Sequence, residues 1–294
     1  MVPASKPVPQ IELNDGMWIP QLGFGVYQID PAETEEAVST ALEAGYRHVD
    51  TAAAYRNEQQ VGAAVRSSPG QVYVTTKYMN PTENHGAEDA KRAFDRSIDR
   101  LGLDHVDLYL IHFPVEAGEG YTASWRALTE LHGDARLRSI GVSNFTRQHL
   151  ARAIDETGVT PAVNQVELHP YFQQAELRTD HAQRGIATQA WGPLGQGAVL
   201  EDPVLTDIAQ AHGKSVAQVV LRWHLQLGMI VIPKSVTSSR IRSNFDVFDF
   251  ELSTEQMQSI ATLDRADGRN GPDPNTYAFP KEPMPETTAP ATAE

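Results

Sequence analysis

Three strand-like runs in this sequence each end in a polar residue that the interior of a sheet would not tolerate. They end at Asp50, Lys77 and His112, and Tyr55 follows Asp50 by five residues. In a parallel barrel the carboxyl ends of the strands converge on one mouth, where the chemistry takes place. We therefore expect these four side chains to form one proton-transfer group.

The residue types in this group suit the reduction of a carbonyl. A phenol with a pKa near 10 is too weak an acid at pH 7. An ammonium from Lys77 is expected to lower the pKa of Tyr55, and a carboxylate from Asp50 would keep the lysine charged and oriented. His112 would orient the oxygen that receives the proton. Hydride would come from a cofactor and the proton from Tyr55.

Each of these residues also has an ordinary structural interpretation when it is taken alone. Asp50 and Lys77 could be solvated strand ends, His112 a hydrogen-bonded core histidine, and Tyr55 a residue that caps the next helix. Their joint occurrence at consecutive strand ends is what favours catalysis.

The rest of the chain reads as strands alternating with helices. Asp30-Pro31, Thr146, Asp202-Pro203 and Ser253 each begin a helix with an N-cap signal. Eight short strand candidates lie between helices: 22–26, 47–50, 72–76, 106–111, 138–142, 162–166, 186–190 and 229–232. Eight such alternations predict an α/β fold, a closed (β/α)₈ TIM barrel.

Both ends of the chain differ from this alternation. Asn14-Asp15-Gly16 separates two short apolar runs and predicts an N-terminal β-hairpin that closes the barrel floor. Residues 267–280 are predicted to form a C-terminal loop over the mouth, and 281–294 a disordered tail. Residues 1–280 would then be a single domain.

Composition limits the classes of partner. Lys and Arg number 24 against 38 Asp and Glu, which gives a net charge of −14 and argues against nucleic acid or an anionic membrane. There is no cysteine, which excludes disulfides and thiolate metal sites. No apolar run is long enough to span a bilayer, and the first ten residues lack a signal-peptide core. We expect a cytoplasmic protein.

Cofactor signals lie in the second half of the chain. The sequence contains no G-x-G-x-x-G motif, so a Rossmann site is not supported. Instead, Trp191 ends a strand and precedes the glycine-rich segment 192–197, where backbone amides could approach a pyrophosphate. Lys234 and Arg240 follow the last strand, where a TIM barrel commonly binds phosphate. Each signal also has a structural interpretation. Trp191 could serve only in packing, the glycine-rich segment could be a loop turn, and Lys234 and Arg240 could belong to a solvated helix face.

The chain resembles the aldo-keto reductase family over about residues 8–280. The matching segments are GYRHVDTA (45–52), VTTK (74–77), VDLYLIH (106–112), SIGVSNF (139–145), NQVELHP (164–170) and IPKS (232–235). AWGPLGQG (190–197) and DVFDF (246–250) are most similar to the bacterial 2,5-diketo-D-gluconate reductase-like branch.

The resemblance implies Tyr55 as general acid, Lys77 and Asp50 as the residues that tune it, and His112 as the residue that orients the carbonyl. It implies NADPH as cofactor, small carbonyls as substrates and Tyr27 and Phe113 as pocket walls, with Tyr78 a further candidate. The implied cofactor contacts are Ser143, Asn144, Gln165 and Trp191 at the nicotinamide, Gly192, Leu194 and Gln196 at the pyrophosphate, Lys234, Ser235 and Arg240 at the 2′-phosphate, and Asn244 near adenine.

Two other classes of protein are compatible with part of this pattern. One is a non-catalytic NADPH-binding subunit of the same fold with a redox-sensing or structural role, which the intact Tyr55, Lys77 and His112 argue against. The other is a metal-dependent barrel hydrolase, for which Glu167 and His169 are too weak a ligand signal. We predict a monomeric reductase without a metal site.

Overall fold

The computed structural model of the 294-residue chain describes residues 8–79, 86–116 and 120–277. Within these residues ten strands follow in chain order: β1 (Gln10–Glu12), β2 (Trp18–Pro20), β3 (Phe24–Gly25), β4 (His48–Asp50), β5 (Tyr73–Tyr78), β6 (Val106–Ile111), β7 (Leu137–Ser143), β8 (Val163–Glu167), β9 (Ala187–Trp191) and β10 (Ile230–Val231). Strands β3 to β10 form one parallel sheet in sequence order.

The sheet closes on itself through backbone hydrogen bonds between its two edges. Gly23 N donates to Val231 O, and Val231 N donates to Gln21 O, both at 2.9 Å. The predicted (β/α)₈ barrel is therefore confirmed, with all eight predicted strands present. The first is shorter than predicted, because only Phe24–Gly25 pairs continuously with β4, and β5 continues to Tyr78.

Helices cover the outside of the barrel. In the described part of the chain they are α1 (Pro31–Ala44), α2 (Glu58–Ser67), α3 (Ala87–Leu101), α4 (Gly120–Leu131), α5 (Arg147–Thr157), α6 (Ala175–Arg184), α7 (Pro203–His212), α8 (Val216–Gln226), α9 (Ser238–Phe245) and α10 (Thr254–Ala261), with 3₁₀ turns at Ala53–Tyr55 and Gly195–Gly197. None of these helices is long and apolar enough to cross a membrane.

Local capping explains where α1 begins and ends. The Asp30 carboxylate accepts a hydrogen bond from Ala32 N at 2.8 Å, and Pro31 occupies the first turn, where its missing N–H is not needed. Gly45 ends the helix in the left-handed region, with φ of 118°. The predicted N-caps Thr146, Asp202 and Ser253 also hold, because each side chain accepts from the first turn of its helix.

The N-terminal hairpin closes the floor of the barrel, as predicted. β1 and β2 pair antiparallel, and Leu13 and Ile19 pack against Leu108, Leu110 and other interior residues of the strands. At the opposite end, the described part of the C-terminal loop crosses the mouth and contacts the ends of β8 and β9. The single domain over 1–280 stays a prediction, and the tail at 281–294 lies outside the described residues.

Gly62 allows α2 and α3 to approach closely. A Cβ at this position would lie 1.8 Å from the carbonyl oxygen of Leu101. Helix propensity alone predicts that Gly62→Ala stabilises the protein by about 1 kcal/mol. The clash of the new Cβ with the backbone of Leu101 should instead make the substitution destabilising. We expect it to lower the free energy of unfolding by about 1–3 kcal/mol.

Urea unfolding followed by circular dichroism measures this change. Gly133→Ala is the matched control, because a Cβ there meets its nearest atom, Glu130 O, at 4.0 Å. A Gly62→Ala variant as stable as the wild type would show that the two helices separate without cost.

Candidate active site

The strands bring the four predicted catalytic side chains to one place. Asp50 is the last residue of β4 and pairs with Thr75. Lys77 lies two residues beyond Thr75 and so points to the same, interior face of the barrel. His112 follows the last residue of β6, and Tyr55 ends the 3₁₀ turn after β4.

Lys77 is the centre of this group. Its Nζ donates to Asp50 Oδ1 at 2.5 Å, to the backbone oxygen of Thr51 at 2.9 Å and to Tyr55 Oη at 3.4 Å. The ring of His112 meets that of Tyr55 edge-on, with centroids 5.6 Å apart. Lys77 is fully buried and Asp50 is 2% exposed, so their interaction is shielded from water.

Burial and the ion pair act in opposite directions on Lys77 and Asp50. Burial lowers the pKa of the Lys77 ammonium, and the adjacent Asp50 carboxylate opposes that change. Burial raises the pKa of the Asp50 carboxyl, against the effects of Lys77 and of the amides of Gln165 and Gln189. Each charge therefore depends on the other, because either one alone in this interior would be neutralised.

The pKa of Tyr55 differs from the sequence-based expectation. Burial raises it well above its ordinary value of 10, and the negative charge of Asp50 adds to the increase. The ammonium of Lys77 was expected to lower this pKa, but desolvation, which raises it, was not taken into account. Burial also holds the pKa of the His112 imidazole well below 6.5, with the positive charge of Lys77 contributing. At neutral pH the phenol is protonated and the imidazole is neutral.

Asn57 fixes the segment that carries Tyr55. Its Oδ1 accepts from Thr51 Oγ1 at 2.9 Å, and its Nδ2 donates to Val26 O at 3.0 Å. These bonds join the segment after β4 to the segment after β3. Asn57 was not among the predicted site residues; its polar side chain directly before α2 was the available signal.

A second polar group lies beside the predicted catalytic group. Asn144 adopts a left-handed backbone conformation with φ of 65°. Its Nδ2 donates to His112 O at 3.0 Å, and its Oδ1 accepts from Trp191 Nε1 at 2.9 Å. Ser143 Oγ donates to Gln165 O at 2.9 Å. The four predicted nicotinamide contacts are thus adjacent.

Gln165 also reaches the catalytic group. Its Nε2 donates to Asp50 Oδ2 at 2.7 Å. The predicted nicotinamide side and the Lys77–Asp50 ion pair are therefore connected by direct hydrogen bonds.

Aromatic rings lie beside Tyr55 and His112. The ring centroid of Tyr27, whose side chain is 56% exposed, lies 5.0 Å from that of Tyr55. Phe113 lies between His112 and Tyr277, whose ring centroid is 4.0 Å from its own. Tyr277 was not predicted individually, although the C-terminal loop was expected at this place.

The prediction of Tyr78 as a pocket wall is wrong. Its side chain is fully buried, and its hydroxyl donates to Asp89 Oδ2 at 2.8 Å on α3. Tyr78 follows Lys77 directly, so strand alternation turns it toward the helices while Lys77 faces the barrel interior.

The segment after β9 can hold an extended phosphate group. Gly192, Gly195 and Gln196 have φ of 59°, 54° and 54°, so this backbone turns sharply around Leu194. A Cβ on Gly192 would meet nothing within 4 Å, which leaves open space beside the backbone. Turns that combine right-handed and left-handed residues, as Leu194 and Gly195 do here, can present backbone N–H groups to an anion.

The residues after β10 fit a phosphate monoester. Lys234 and Arg240 are exposed, and in the described part of the chain neither side chain makes an ion pair or hydrogen bond. Ser235 and Asn244 are buried next to them. Two cations without partners, in a chain of net charge −14, match an anionic group such as the 2′-phosphate of NADPH.

A family model and several known proteins match most of this chain. The Aldo/keto reductase family model matches residues 16–265. An aldo-keto reductase of Mycobacterium sp. strain JLS is 56% identical over 92% of this chain and 98% of its own length. Methylglyoxal reductase DkgA of Yersinia pestis is 47% identical over 92% of this chain and 97% of its own.

A solved structure is similar throughout. A variant of Gox0644 in complex with NADPH superposes with a TM-score of 0.90 at 47% identity, covering 93% of this chain and 100% of that one. Since the family model spans most of the barrel and the relatives match nearly end to end, the chain belongs to the aldo/keto reductase family, a family of NADP-dependent oxidoreductases.

Proposed function

We propose that this enzyme reduces small aldehydes, ketones or α-dicarbonyls to alcohols, with NADPH as hydride donor and Tyr55 as proton donor. The observation that carries this proposal is the position of Lys77 Nζ, which contacts both Asp50 and Tyr55 in a buried site. All four catalytic side chains come from one barrel, so the predicted monomer would need no second chain for the chemistry.

The residues proposed to hold NADPH come from β7 to β10 and the segments that follow these strands. Lys234, Ser235 and Arg240 would take the 2′-phosphate and Asn244 the adenine, and the segment 192–197 would hold the pyrophosphate. Ser143, Asn144 and Gln165 would hold the carboxamide, and Trp191 would stack on the nicotinamide ring. When bound, NADPH supplies the hydride to the carbonyl carbon.

The side chains of the barrel supply the proton. Tyr55 Oη would give its proton to the carbonyl oxygen as negative charge develops there. The Lys77 ammonium at 3.4 Å would stabilise the tyrosinate that remains, and Asp50 keeps that ammonium charged. The neutral imidazole of His112 would orient the carbonyl oxygen.

Two observations support small carbonyl substrates. Tyr27 beside Tyr55, and Phe113 and Tyr277 beside His112, provide aromatic surface that suits a compact substrate with a limited polar region. Three similar proteins, one from Yersinia pestis and two from strains of Escherichia coli, are named methylglyoxal reductase, after an α-dicarbonyl. Rates with NADPH across simple aldehydes, α-dicarbonyls and keto-sugars would rank these classes, and no turnover of any would contradict the proposal.

The catalytic roles predict a specific loss of turnover. Tyr55→Phe should lower kcat by at least about 10²-fold while NADPH binding is kept, because the general acid is removed. Lys77→Met should be comparably damaging, because it removes the charge beside the tyrosinate.

Steady-state kinetics and NADPH titration measure these effects. Tyr109→Phe makes the same chemical change where the ring packs against Phe94 on α3, and it should leave kcat unchanged. Normal turnover by the Tyr55→Phe variant would show that a group other than Tyr55 donates the proton.

The ionisation states predict a flat pH profile. The pKa of His112 is lowered well below 6.5, so its imidazole stays neutral as the pH falls from about 8 to about 6. The raised pKa of Tyr55 keeps the phenol protonated over the same range. The kcat for reduction should change less than about twofold there. An inflection near pH 6.5 that disappears in His112→Gln would contradict a neutral imidazole.

The phosphate contacts predict the choice of cofactor. Two charge-assisted hydrogen bonds would favour NADPH over NADH by about 10²–10⁴-fold at low salt, less at high ionic strength. Arg240→Ala should raise the KM for NADPH about 10-fold or more and leave that for NADH nearly unchanged.

Arg242→Ala is the matched control. It lies on the same helix but is paired with Glu43 at 3.2 Å, so it should not affect either cofactor. Equal use of NADPH and NADH by the wild type would show that Lys234 and Arg240 do not bind the 2′-phosphate of the cofactor.

A further inference from the structure

A buried carboxylate at the end of β8 holds the start of the C-terminal loop. Glu167, 2% exposed, accepts from Asn270 N at 2.6 Å through Oε1 and from Gly271 N at 2.9 Å through Oε2. His169 Nε2 lies 3.2 Å from Oε1. One carboxylate thus satisfies two consecutive backbone N–H groups from a segment about a hundred residues later.

This anchored segment lies directly against Trp191. A Cβ added to Gly271 would sit 2.5 Å from Cη2 of the indole and 2.9 Å from Glu167 Oε2. Gly271 lies outside the left-handed region, so the absence of a side chain there reflects this contact and not backbone conformation. Asn270 Nδ2 also donates to Gly195 O at 3.1 Å, in the segment proposed to hold the pyrophosphate.

We propose that Glu167 is a positioning residue for cofactor binding: by holding the backbone of Asn270 and Gly271, it fixes the edge of the Trp191 indole against which the nicotinamide ring would stack. This inference rests on the proposed function of Trp191. The other fixed point of the indole is its Nε1–H, which donates to Asn144 Oδ1. Trp191 is therefore held at one end by a side-chain amide and at the other by the anchored loop.

The chemistry of the anchor requires a charged carboxylate. Burial alone would raise the pKa of Glu167, but hydrogen bonds from His169, Asn270 N and Gly271 N outweigh it and lower the pKa. A glutamine at this position would offer one acceptor and place an NH₂ group against the other backbone N–H. The change is nearly isosteric, so it tests the hydrogen bonds with little change in packing.

Two variants test the anchor and the contact that it maintains. Glu167→Gln removes one acceptor and leaves Gly271 unchanged, whereas Gly271→Ala keeps both carboxylate oxygens but pushes against the indole and against Glu167 Oε2. Their matched controls are Glu176→Gln, 90% exposed on α6, and Gly133→Ala, whose Cβ would meet nothing closer than 4.0 Å. Each variant is also made in a Trp191→Phe background, so that the emission of Trp191 is obtained by difference from the other three tryptophans.

The first measurement needs neither NADPH nor turnover. In both variants, but in neither control, the difference emission of Trp191 should shift to longer wavelength because the indole loses contact with the loop. NADPH titration should then show weaker quenching of this emission and a dissociation constant about 10-fold higher. The KM for NADPH should rise in proportion, with kcat within about threefold of wild type.

The outcomes distinguish this inference from the proposed function. Folded Glu167→Gln protein with unchanged Trp191 emission and unchanged NADPH affinity would overturn the positioning role, even if its melting temperature fell. A wild type that turns over no carbonyl would contradict the proposed function, while the emission of the variants still decides the role of Glu167. If only Gly271→Ala shifts the emission, the loop contacts the indole without the carboxylate and the inference is wrong.

Discussion

The buried ion pair between Lys77 and Asp50 is the interaction on which the rest of the site depends. Neither charge is stable alone in the barrel interior, because burial shifts the pKa of each toward its neutral form. The pair persists because the remaining atoms of both groups have partners: Thr51 O for the ammonium and Gln165 for the second carboxylate oxygen. A buried pair with its hydrogen bonds satisfied is rigid, and losing one member leaves an unpaired charge.

That constraint explains the arrangement of the surrounding elements. Asp50 and Lys77 lie on adjacent strands whose register is set by backbone pairing, so their separation cannot change without opening the sheet. Tyr55 lies on a short turn, and Asn57 joins this turn to the neighbouring segment through side-chain hydrogen bonds. The proposed proton donor thus lies on irregular backbone, yet it is held by the same barrel wall that holds the ion pair. Such support is what precise proton transfer requires.

The sequence predicted local features well and distant contacts poorly. Asp30 marks the start of a helix through its own chemistry, so no knowledge of the fold was needed. Tyr78 was misplaced although strand alternation from Lys77 could have corrected it. The sign of the pKa change at Tyr55 was missed because desolvation depends on packing. The contact of Glu167 with Gly271 spans 104 positions in the chain, and no local pattern in either segment indicates it.

The aromatic residues around Tyr55 come from three separate connections. Tyr27 follows β3, Phe113 follows β6, and Tyr277 belongs to the C-terminal loop, whereas the proton-transfer group is built on β4 to β6 and the turn after β4. If these residues form the substrate pocket as proposed, substitutions in any one connection alter which molecules are accepted without disturbing the ion pair. Descendants of this chain could acquire new substrates by successive changes in separate loops, each tolerated because the chemistry beneath it continues to operate.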